Sequence, residues 1–481
     1  MSAPFLWGIV PLLVGVGLLA LRRWERPVAW VGAVFTLLLA ASLWLLPVNQ
    51  AVRVGPWSLR LGEVLAVFGR RFVIAEADRG IFALIYFLAG LWFLGAVATR
   101  PGKLFVPLGL ISVVMWVGAL AVEPFLYAAL FLEMAVLVSV PFLRPPGGEA
   151  GPGVLRYLVF QTLGMPFILF TGWMLGQVNP ELADPAQLIL PATLAGFGFA
   201  LLMAVFPFHT WLPMLAEEVH PYPAAFIFSM LPLVVALFGV GFLNEFSWLR
   251  NAPAVFALLR GVGFLMTLTG GVWAAFDFSA RRRYFPFKAR HLGRMLGFAT
   301  VITTGFSLLA ISQGNAAGLE AFFGALVPRA INFWLWALAL TVLRAHTGTL
   351  DFFALQGAGR RFPLTAVALI LAQFSVAGFP LLAGFPSRVA LLTTLAETNL
   401  FGAVGTMLGG LGLLVVAIRT LAILVMPPEE TPDLAPHAEE ALSARLWLSV
   451  GLILLVLLGL FPQWLAPLLA PLPLAFPALA P

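Results

Sequence analysis

The stretch FPFHTWLPMLAEEVHP, residues 206–221, interrupts an otherwise apolar region of the chain. It holds three prolines, two histidines and two adjacent glutamates, whereas the residues before and after it are almost all apolar. A proline inside a helix removes one backbone hydrogen bond and clashes with the preceding turn. We therefore predict a broken helix here, with titratable groups gathered beside the break.

The composition around this stretch places the chain in a membrane. Of its 481 residues, 61% are hydrophobic and 10% are charged, whereas about 25% of the residues of a typical soluble domain are charged. Apolar runs of about 18 residues or more, long enough to cross a bilayer, recur throughout. Because lipid cannot hydrogen-bond an open backbone, these runs must be helices. The sequence thus predicts an all-α polytopic membrane protein in contact with the lipid bilayer.

About fourteen spanning segments are predicted, at residues 5–21, 28–47, 81–98, 104–121, 124–143, 155–176, 188–206, 222–243, 255–275, 295–312, 320–343, 363–396, 399–426 and 445–462. The segment at 363–396 contains a Gly/Pro interruption. The apolar tail after residue 462 is rich in proline, so no further regular helix is expected there.

The positive charges predict how the helices are oriented. Arginines cluster in alternate short loops, for example at 22–26 after the first segment and at 281–283 after the ninth. Short cytoplasmic loops carry such an excess of Lys and Arg. We therefore expect a multi-pass protein of the bacterial or archaeal cytoplasmic (inner) membrane with its amino terminus outside. Because the net charge of +6 comes from such loops, no nucleic-acid partner is expected.

The residue types limit the chemistry of the chain itself. There are no cysteines, which excludes disulfides and Cys-ligated zinc or iron–sulfur clusters. The sequence contains no recognisable nucleophile constellation, metal-ligand cluster or nucleotide-binding loop. We expect no cofactor, no metal and no catalytic site of its own, so any redox chemistry would belong to another polypeptide.

A second stretch, AGFPLLAGFPSRV at residues 377–389, repeats the pattern of the first. Each has Phe-Pro followed six positions later by another proline: Pro207 and Pro213 in the first, Pro380 and Pro386 in the second. The two breaks lie in the seventh and the twelfth predicted segments, an offset of five, and this odd offset makes the copies enter the membrane in opposite directions. Interrupted helices at matching positions of two inverted halves point to a transport path.

Both stretches resemble a known family. FPFHTWLP followed by HPYPAAFIFSML resembles the motif P-[LF]-H-x-W-L-P…A-P-T-P of the antiporter-like family. AGRRFPLTAVALILAQFSVAGFPLLAGFPSRVALL resembles that family's later block, R-x-P-x-T…L-A-G-x-P-P-x-x-G-F-x-x-K/E. The family comprises the large proton-channel subunits of respiratory complex I and of membrane-bound hydrogenases, and subunits of the multisubunit cation/proton antiporters.

The resemblance implies fourteen helices, two inverted five-helix repeats each with a broken helix, and a central axis of buried charges. On this basis we expect N-terminal helices and a long loop at 1–98, the first inverted repeat at 104–243 and the second at 255–426. A C-terminal loop, helix and proline-rich tail follow at 427–481.

Glu133, His209, Arg329 and Arg388 are the candidates for a proton path, because an ionisable group inside a spanning segment is costly. Glu133 falls where the family has its key glutamate. Arg329 falls where it has a central lysine, and Arg388 where it has a terminal lysine or glutamate. His209 follows the first break, where an imidazole can relay protons. The structural alternatives are a polar helix contact for Glu133, a snorkelling side chain for Arg388 and a residue that stabilises the break for His209.

Glu218, His220 and Asp351 are secondary candidates. Glu218 and His220 lie at a predicted helix end close to water, and Asp351 lies at a segment end. Side chains at helical positions two apart do not face each other, so the first two are not expected to form a metal site with His209.

The family's lysine relay has no counterpart in this sequence. Leu202 stands where the family places a lysine and Val234 near its next lysine or histidine, while Lys103 and Lys288 lie in predicted loops. A buried lysine can release its proton, whereas an arginine remains protonated. A proton path through this chain would therefore depend on water, Glu133 and His209.

Four functions are considered from these features, of which three fit. The first is an antiporter-like integral membrane subunit of a complex-I-related redox complex, NADH/quinone oxidoreductase-like or hydrogenase-like, which couples electron transfer in partner subunits to proton translocation. The second is a non-pumping structural membrane subunit of such a complex. The third is a subunit of a cation/proton antiporter or inorganic-carbon uptake complex. The fourth, a stand-alone membrane enzyme, is opposed by the missing catalytic constellation. The first three imply other membrane subunits as partners, and pumping implies protons or cations as cargo.

Overall fold

The computed structural model describes residues 2–54, 57–67, 69–144, 148–176, 185–279, 291–427 and 440–479. The predicted cytoplasmic charges at 281–283 and Lys288 lie outside these described residues.

Helices make up most of the described chain. They are α1 (Val10–Ala20), α2 (Glu25–Leu45), α3 (Arg79–Thr99), α4 (Phe105–Ala121), α5 (Ala128–Leu143), α6 (Pro152–Leu175), α7 (Pro185–Leu202), α8 (Trp211–Glu218), α9 (Pro221–Glu245), α10 (Ser247–Arg250), α11 (Pro253–Ser279), α12 (Arg294–Ile311), α13 (Ala316–Thr347), α14 (Ala358–Arg361), α15 (Pro363–Ala377), α16 (Gly384–Thr398), α17 (Leu400–Val425), α18 (Leu442–Leu460) and α19 (Ala466–Leu469). A π-helical turn, Phe5–Ile9, precedes α1, and 3₁₀ turns lie at Phe125–Tyr127, Phe208–Thr210, Pro462–Leu465 and Pro473–Ala475.

The prediction of an all-α polytopic membrane protein is confirmed. Within the described residues, 10 helices are long and apolar enough to cross a membrane, and shorter apolar helices lie at Phe5–Ala20, Phe105–Ala121, Ala186–Leu202 and Pro363–Ala377. The last two are the first halves of the two interrupted helices. Up to residue 479, where the description ends, the tail after residue 462 has only single turns of helix, as its prolines predict.

Short strands occupy the long loop between α2 and α3, where the sequence pattern predicts no secondary structure. β1 (Ala51–Val54) pairs antiparallel with β2 (Trp57–Arg60). β3 (Val64–Val67) pairs antiparallel with β4 (Arg70–Val73), which in turn pairs with β5 (Val122–Glu123) at the start of the loop after α4. The second sheet thus ties the long loop to the end of α4.

Corresponding helix pairs pack against each other in two parts of the chain. In the first part α4 packs on α5, α5 on α6, and α6 on both α7 and α8. In the second part α11 packs on α12, α12 on α13, and α13 on both α15 and α16. The interrupted helix holds the same place in each set. The boundaries of the predicted repeats stay predictions.

The first interrupted helix, α7, ends in a left-handed cap. Ala204 has φ 53°, and its N–H donates to the Leu201 carbonyl at 3.2 Å. The next N–H, that of Val205, donates to the Ala200 carbonyl at 2.8 Å. These two bonds form a Schellman motif, which satisfies carbonyls that the end of a helix leaves free.

The second interrupted helix, α15, ends in the same motif. Gly378 has φ 82°, and its N–H donates to the Ser375 carbonyl at 3.0 Å. The N–H of Phe379 donates to the Phe374 carbonyl at 2.9 Å. Both breaks therefore stop the helix by one backbone device, although glycine supplies the left-handed residue only at the second.

The two parts meet where α12 and α13 pack against α8 and α9. The most apolar 18-residue stretch of α13 is entirely buried within the protein, as expected for a helix that is apolar on all sides. Trp334 of α13 donates its indole N–H to the Tyr222 hydroxyl of α9 at 3.0 Å. The Tyr222 hydroxyl donates to the Trp92 carbonyl of α3 at 2.6 Å. This chain of bonds joins three spanning helices.

Candidate functional site

Arg329 lies near the middle of α13 and is 8% exposed. Its Nη2 donates to the Phe228 carbonyl of α9 at 3.1 Å and to the Thr304 hydroxyl at 3.4 Å. The Phe228 carbonyl is available because Pro232, four residues later in α9, has no N–H to donate to it. Arg329 therefore replaces a helical hydrogen bond that a proline removes, while it carries its charge into the membrane interior.

Arg388 is the fifth residue of α16 and lies beside the second helix break. Its Nη1 donates to the Ala377 carbonyl at 2.8 Å, and its Nη2 donates to the Val376 carbonyl. The Val376 carbonyl also has a proline, Pro380, four residues later. The guanidinium stands over the Phe306 ring, 4.0 Å from its centroid. A cation at the carboxyl end of α15 is favoured by the helix dipole as well.

One cavity of about 60 Å³ brings the two arginines together. Its walls come from α12, α13, α15 and α16, and their polar side chains are Thr303, Ser307, Arg329, Asn332, Ser375, Ser387 and Arg388. A buried cavity needs roughly 10–15 Å³ by this measure to hold one water. Several waters therefore fit here. One of them can donate to the Asn332 Oδ1 atom, which is buried without a partner among the described residues.

Glu133 lies in the first part of the chain, away from this cavity. The Thr162 hydroxyl of α6 donates to its Oε1 at 2.8 Å. Its Oε2 is buried and has no hydrogen-bond partner among the described residues. Nor does Glu133 take part in any ion pair that the described residues form. The carboxylate is thus held by one hydroxyl and has an open acceptor.

Leu202 fills the position where the resemblance predicts a lysine. It is 4% exposed, and a Cβ placed on Gly164 of α6 would come 2.8 Å from its Cγ. The Leu202 carbonyl accepts from Gln161 Nε2 at 3.2 Å. The Leu202 side chain therefore packs into a notch on α6 that exists because residue 164 is glycine. Val234, the other departure, is fully buried in α9.

His209 lies in the 3₁₀ turn at the first break and is 7% exposed. Its ring stacks on Phe206, with centroids 5.5 Å apart. Its Nδ1 atom is buried without a hydrogen-bond partner among the described residues. His209 does not line the cavity between Arg329 and Arg388. The four candidates for the proton path therefore do not share one site. Arg329 and Arg388 line the same cavity, whereas Glu133 and His209 lie separately in the first part of the chain.

Glu218 caps a helix. Its Oε1 and Oε2 accept from the Gly153 N–H at 2.9 and 2.8 Å, and Oε2 accepts from the Val154 N–H at 3.4 Å. These are first-turn amides of α6, where the helix dipole favours a negative charge. The structure thus gives Glu218 a clear stabilising role at the amino end of α6.

His220 and Asp351 also make local contacts. His220 is the N-cap of α9, and its Nδ1 accepts from the Tyr222 N–H at 3.3 Å. Burial, together with the nearby Arg344 guanidinium, lowers the pKa of His220 to about 4. Asp351 accepts from the Thr349 hydroxyl at 2.9 Å, and its backbone pairs with that of His291. The pKa of His291 is lowered by burial, which outweighs the opposing effect of Glu217 and Asp351.

Arg294, the first residue of α12, makes contacts that the sequence pattern does not predict. Its Nη1 lies 2.8 Å from Glu217 Oε2 on α8, and its Nε lies 2.9 Å from Asp277 Oδ2 on α11. Nη2 completes a two-point contact with Asp277 Oδ1 at 3.2 Å. The sequence does place two carboxylates, Glu217 and Asp277, and this arginine at the ends of predicted segments. Their meeting, however, depends on how α8, α11 and α12 pack.

These features define the class of protein: a polytopic helical membrane protein with two interrupted helices and charged groups inside its spanning segments. The described residues contain no cluster of three or more His, Cys, Asp or Glu side chains that could hold a metal ion.

Comparison with known proteins agrees with this class. The family described as "NADH:quinone oxidoreductase/Mrp antiporter, TM" matches residues 182–413. NADH-quinone oxidoreductase subunit N of Thiobacillus denitrificans is 28% identical over 373 residues, which cover 72% of this chain and 71% of the relative. Residues 182–413 of this chain thus match a family of antiporter-like membrane subunits.

Two solved structures share the fold over nearly the whole chain. The Mrp complex from Dietzia sp. DQ12-45-1b contains a chain with a TM-score of 0.81 and 18% identity, and the match covers 99% of this chain and 98% of that one. The membrane-bound sulfane sulfur reductase, an archaeal respiratory membrane complex, contains a chain with a TM-score of 0.79 and 17% identity at the same coverage.

Proposed function

We propose that this chain is an antiporter-like integral membrane subunit of a complex-I-related redox complex in a bacterial or archaeal cytoplasmic membrane. Its role is to couple electron transfer in partner subunits to proton translocation. The likeness to a subunit of an NADH-quinone oxidoreductase supports the assembly. The observation that carries the transport role is the cavity beside the second helix break, which is lined by both Arg329 and Arg388.

In this proposal the arginines are fixed charges and not proton carriers. A guanidinium stays protonated in a protein, so Arg329 and Arg388 orient water and set the local potential. The groups that can accept a proton are Glu133, with its free Oε2, and His209, with its free Nδ1. Water between these groups completes the path. The path differs from that of a lysine relay, because no lysine lies in a spanning segment of the described residues.

A non-pumping structural role is the second candidate, and one observation favours it. Leu202 packs tightly into the Gly164 notch where the family places a lysine. Glu133 thus forms no ion pair with a cation among the described residues of the first part. A chain kept only as a scaffold would tolerate this replacement. The similarity to the Mrp complex and to the Mrp antiporter family keeps a cation/proton antiporter as a further alternative.

Glu133→Gln in the intact complex separates these functions. The amide keeps the size of the side chain and can still accept from Thr162, but it cannot take up a proton at neutral pH. We expect the ratio of protons translocated to electrons transferred to fall about tenfold, with the complex still assembled.

The matched control is Glu397→Gln, at an exposed glutamate near the end of α16. It should leave the ratio unchanged. If the ratio in Glu133→Gln also equals that of the wild type, with equal electron transfer, the pumping role is wrong and the structural role stands.

A further inference from the structure

We propose that the cavity between Arg329 and Arg388 is a binding site for a small monovalent inorganic anion such as chloride. The proposal stands on the charge and geometry of the cavity and does not depend on proton translocation.

The first argument is the balance of charge. None of the lining residues is an aspartate or glutamate, and neither arginine takes part in the ion pairs found among the described residues. Both guanidiniums remain protonated. A buried charge without a counterion is strongly disfavoured, so buried charges are normally paired. The two positive charges on one cavity therefore call for an anion that the described part of the chain does not supply.

The second argument is the set of free donors on Arg329. A guanidinium has five N–H donors in a planar fork. Within the described residues, Arg329 uses only Nη2, towards Phe228 and Thr304. Its Nε is buried and has no partner there. Nε and Nη1 thus remain available on a side chain that is more than nine-tenths buried and lines the cavity.

The third argument is the direction of the neighbouring helices. α16 begins at Gly384, and both Gly384 and Ser387 of its first turn line the cavity. The amino end of a helix attracts negative charge, and the half-helices of transporters direct such ends at anionic groups. The opposing carboxyl end of α15 is covered by Arg388, which donates to its last two carbonyls. The Gly384 N–H donates to Ser375 Oγ at 3.0 Å, so α16 acts on the cavity through its dipole and not through that amide.

The fourth argument is size. The cavity of about 60 Å³ has room for a single halide-sized ion with a few waters, judged by the roughly 10–15 Å³ that one water requires. Apolar side chains, including Phe306, Phe322 and Leu326, make up much of the remaining wall. A large organic anion does not fit. Because Arg388 also balances the end of α15, one negative charge leaves the site close to neutral.

The experiment is chloride binding to the purified full-length chain in nanodiscs with gluconate as the only other anion. The ³⁵Cl NMR line broadens when chloride exchanges with a protein site, and bromide or nitrate should compete. We expect saturable broadening for the wild type, and an affinity at least about tenfold weaker in Arg329→Gln and in Arg388→Gln. Arg360→Gln, at an exposed arginine outside the spanning helices, is the matched control and should bind as the wild type does.

A bromide-soaked crystal of the wild type supplies a readout that needs no variant. An anomalous peak between the Arg329 and Arg388 guanidiniums is the expected result. The proposal is overturned by the absence of saturable broadening in the wild type. It is equally overturned by binding that both arginine variants retain, or by a bromide peak located only outside the cavity. Loss of proton translocation in Glu133→Gln has no bearing on any of these outcomes.

Discussion

Gly378 lies against the side chain of Arg388. A Cβ placed on Gly378 would overlap Cδ of Arg388 and come 2.9 Å from its Nε and 3.3 Å from its Cζ. The backbone of Gly378 has φ 82°, in the left-handed region. The glycine therefore serves two purposes at once: it ends α15, and it leaves the space in which the guanidinium reaches the carbonyls of Val376 and Ala377.

Gly378→Ala should lower the free energy of unfolding by about 1–3 kcal/mol, because it adds left-handed strain to a clash that moves Arg388. Thermal melting of the purified chain measures this loss. Gly196→Ala in α7 is the control, since nothing lies within 4 Å of a Cβ placed there, and it should not destabilise the protein. Equal melting temperatures for Gly378→Ala and the wild type would show that the glycine is not required.

Ala204→Gly should stabilise the protein by about 1 kcal/mol. Ala204 holds the left-handed position of the first break with φ 53°, where an L-residue with a Cβ is strained and glycine is not. The control is the same substitution at Ala200, inside α7, where glycine should cost about 1 kcal/mol. The opposite signs of the two changes, measured by melting, are the expected result. Destabilisation by both would mean that the Cβ of Ala204 contributes packing that exceeds its strain.

The apolar helical segments and the position of both breaks could be predicted from the sequence. Hydropathy and length decide whether a segment spans, and a Phe-Pro pair inside an apolar run marks a break without any tertiary information. The single turns of helix after residue 462 follow from their prolines in the same way.

Other features depend on which surfaces meet in three dimensions. Pro232 frees the Phe228 carbonyl in α9, but only the packing of α13 on α9 brings Arg329 to it. The strands of the long loop are four residues or fewer, too short for a clear alternating pattern. The sequence indicated Glu218 as a titratable group at a helix end, and only the fold shows that it caps the distant α6. The shared cavity of Arg329 and Arg388 likewise arises from the packing of four helices.

Glu218→Ala should lower the free energy of unfolding by about 0.5–2 kcal/mol, because it leaves the first amides of α6 without their acceptor. Glu218→Gln keeps an acceptor oxygen but loses the charge that the helix dipole favours, so it should have a smaller effect. The control is Glu149→Ala, at an exposed glutamate just before α6. Chemical denaturation in detergent gives the three values. If Glu218→Ala and Glu149→Ala have equal effects, the capping bonds do not contribute to stability.

His220 should make the protein sensitive to acid. Burial and then Arg344 lower its pKa from the ordinary 6.5 to about 4, so the folded state keeps the imidazole neutral while the unfolded state binds a proton. The stability that depends on neutral His220 is therefore complete above pH 6.5. It decreases as the pH falls from 6.5 towards 4, by up to about 3 kcal/mol in total.

His220→Asn isolates this contribution, because asparagine can accept from the Tyr222 N–H but does not titrate. Unfolding free energies measured from pH 8 to pH 4 should fall less steeply for His220→Asn than for the wild type. The two curves should run parallel above pH 6.5 and separate only below it. His291, whose pKa burial also lowers, is present in both proteins and cancels from the difference. Curves that stay parallel down to pH 4 would show that His220 is protonated as readily in the folded state as in the unfolded chain.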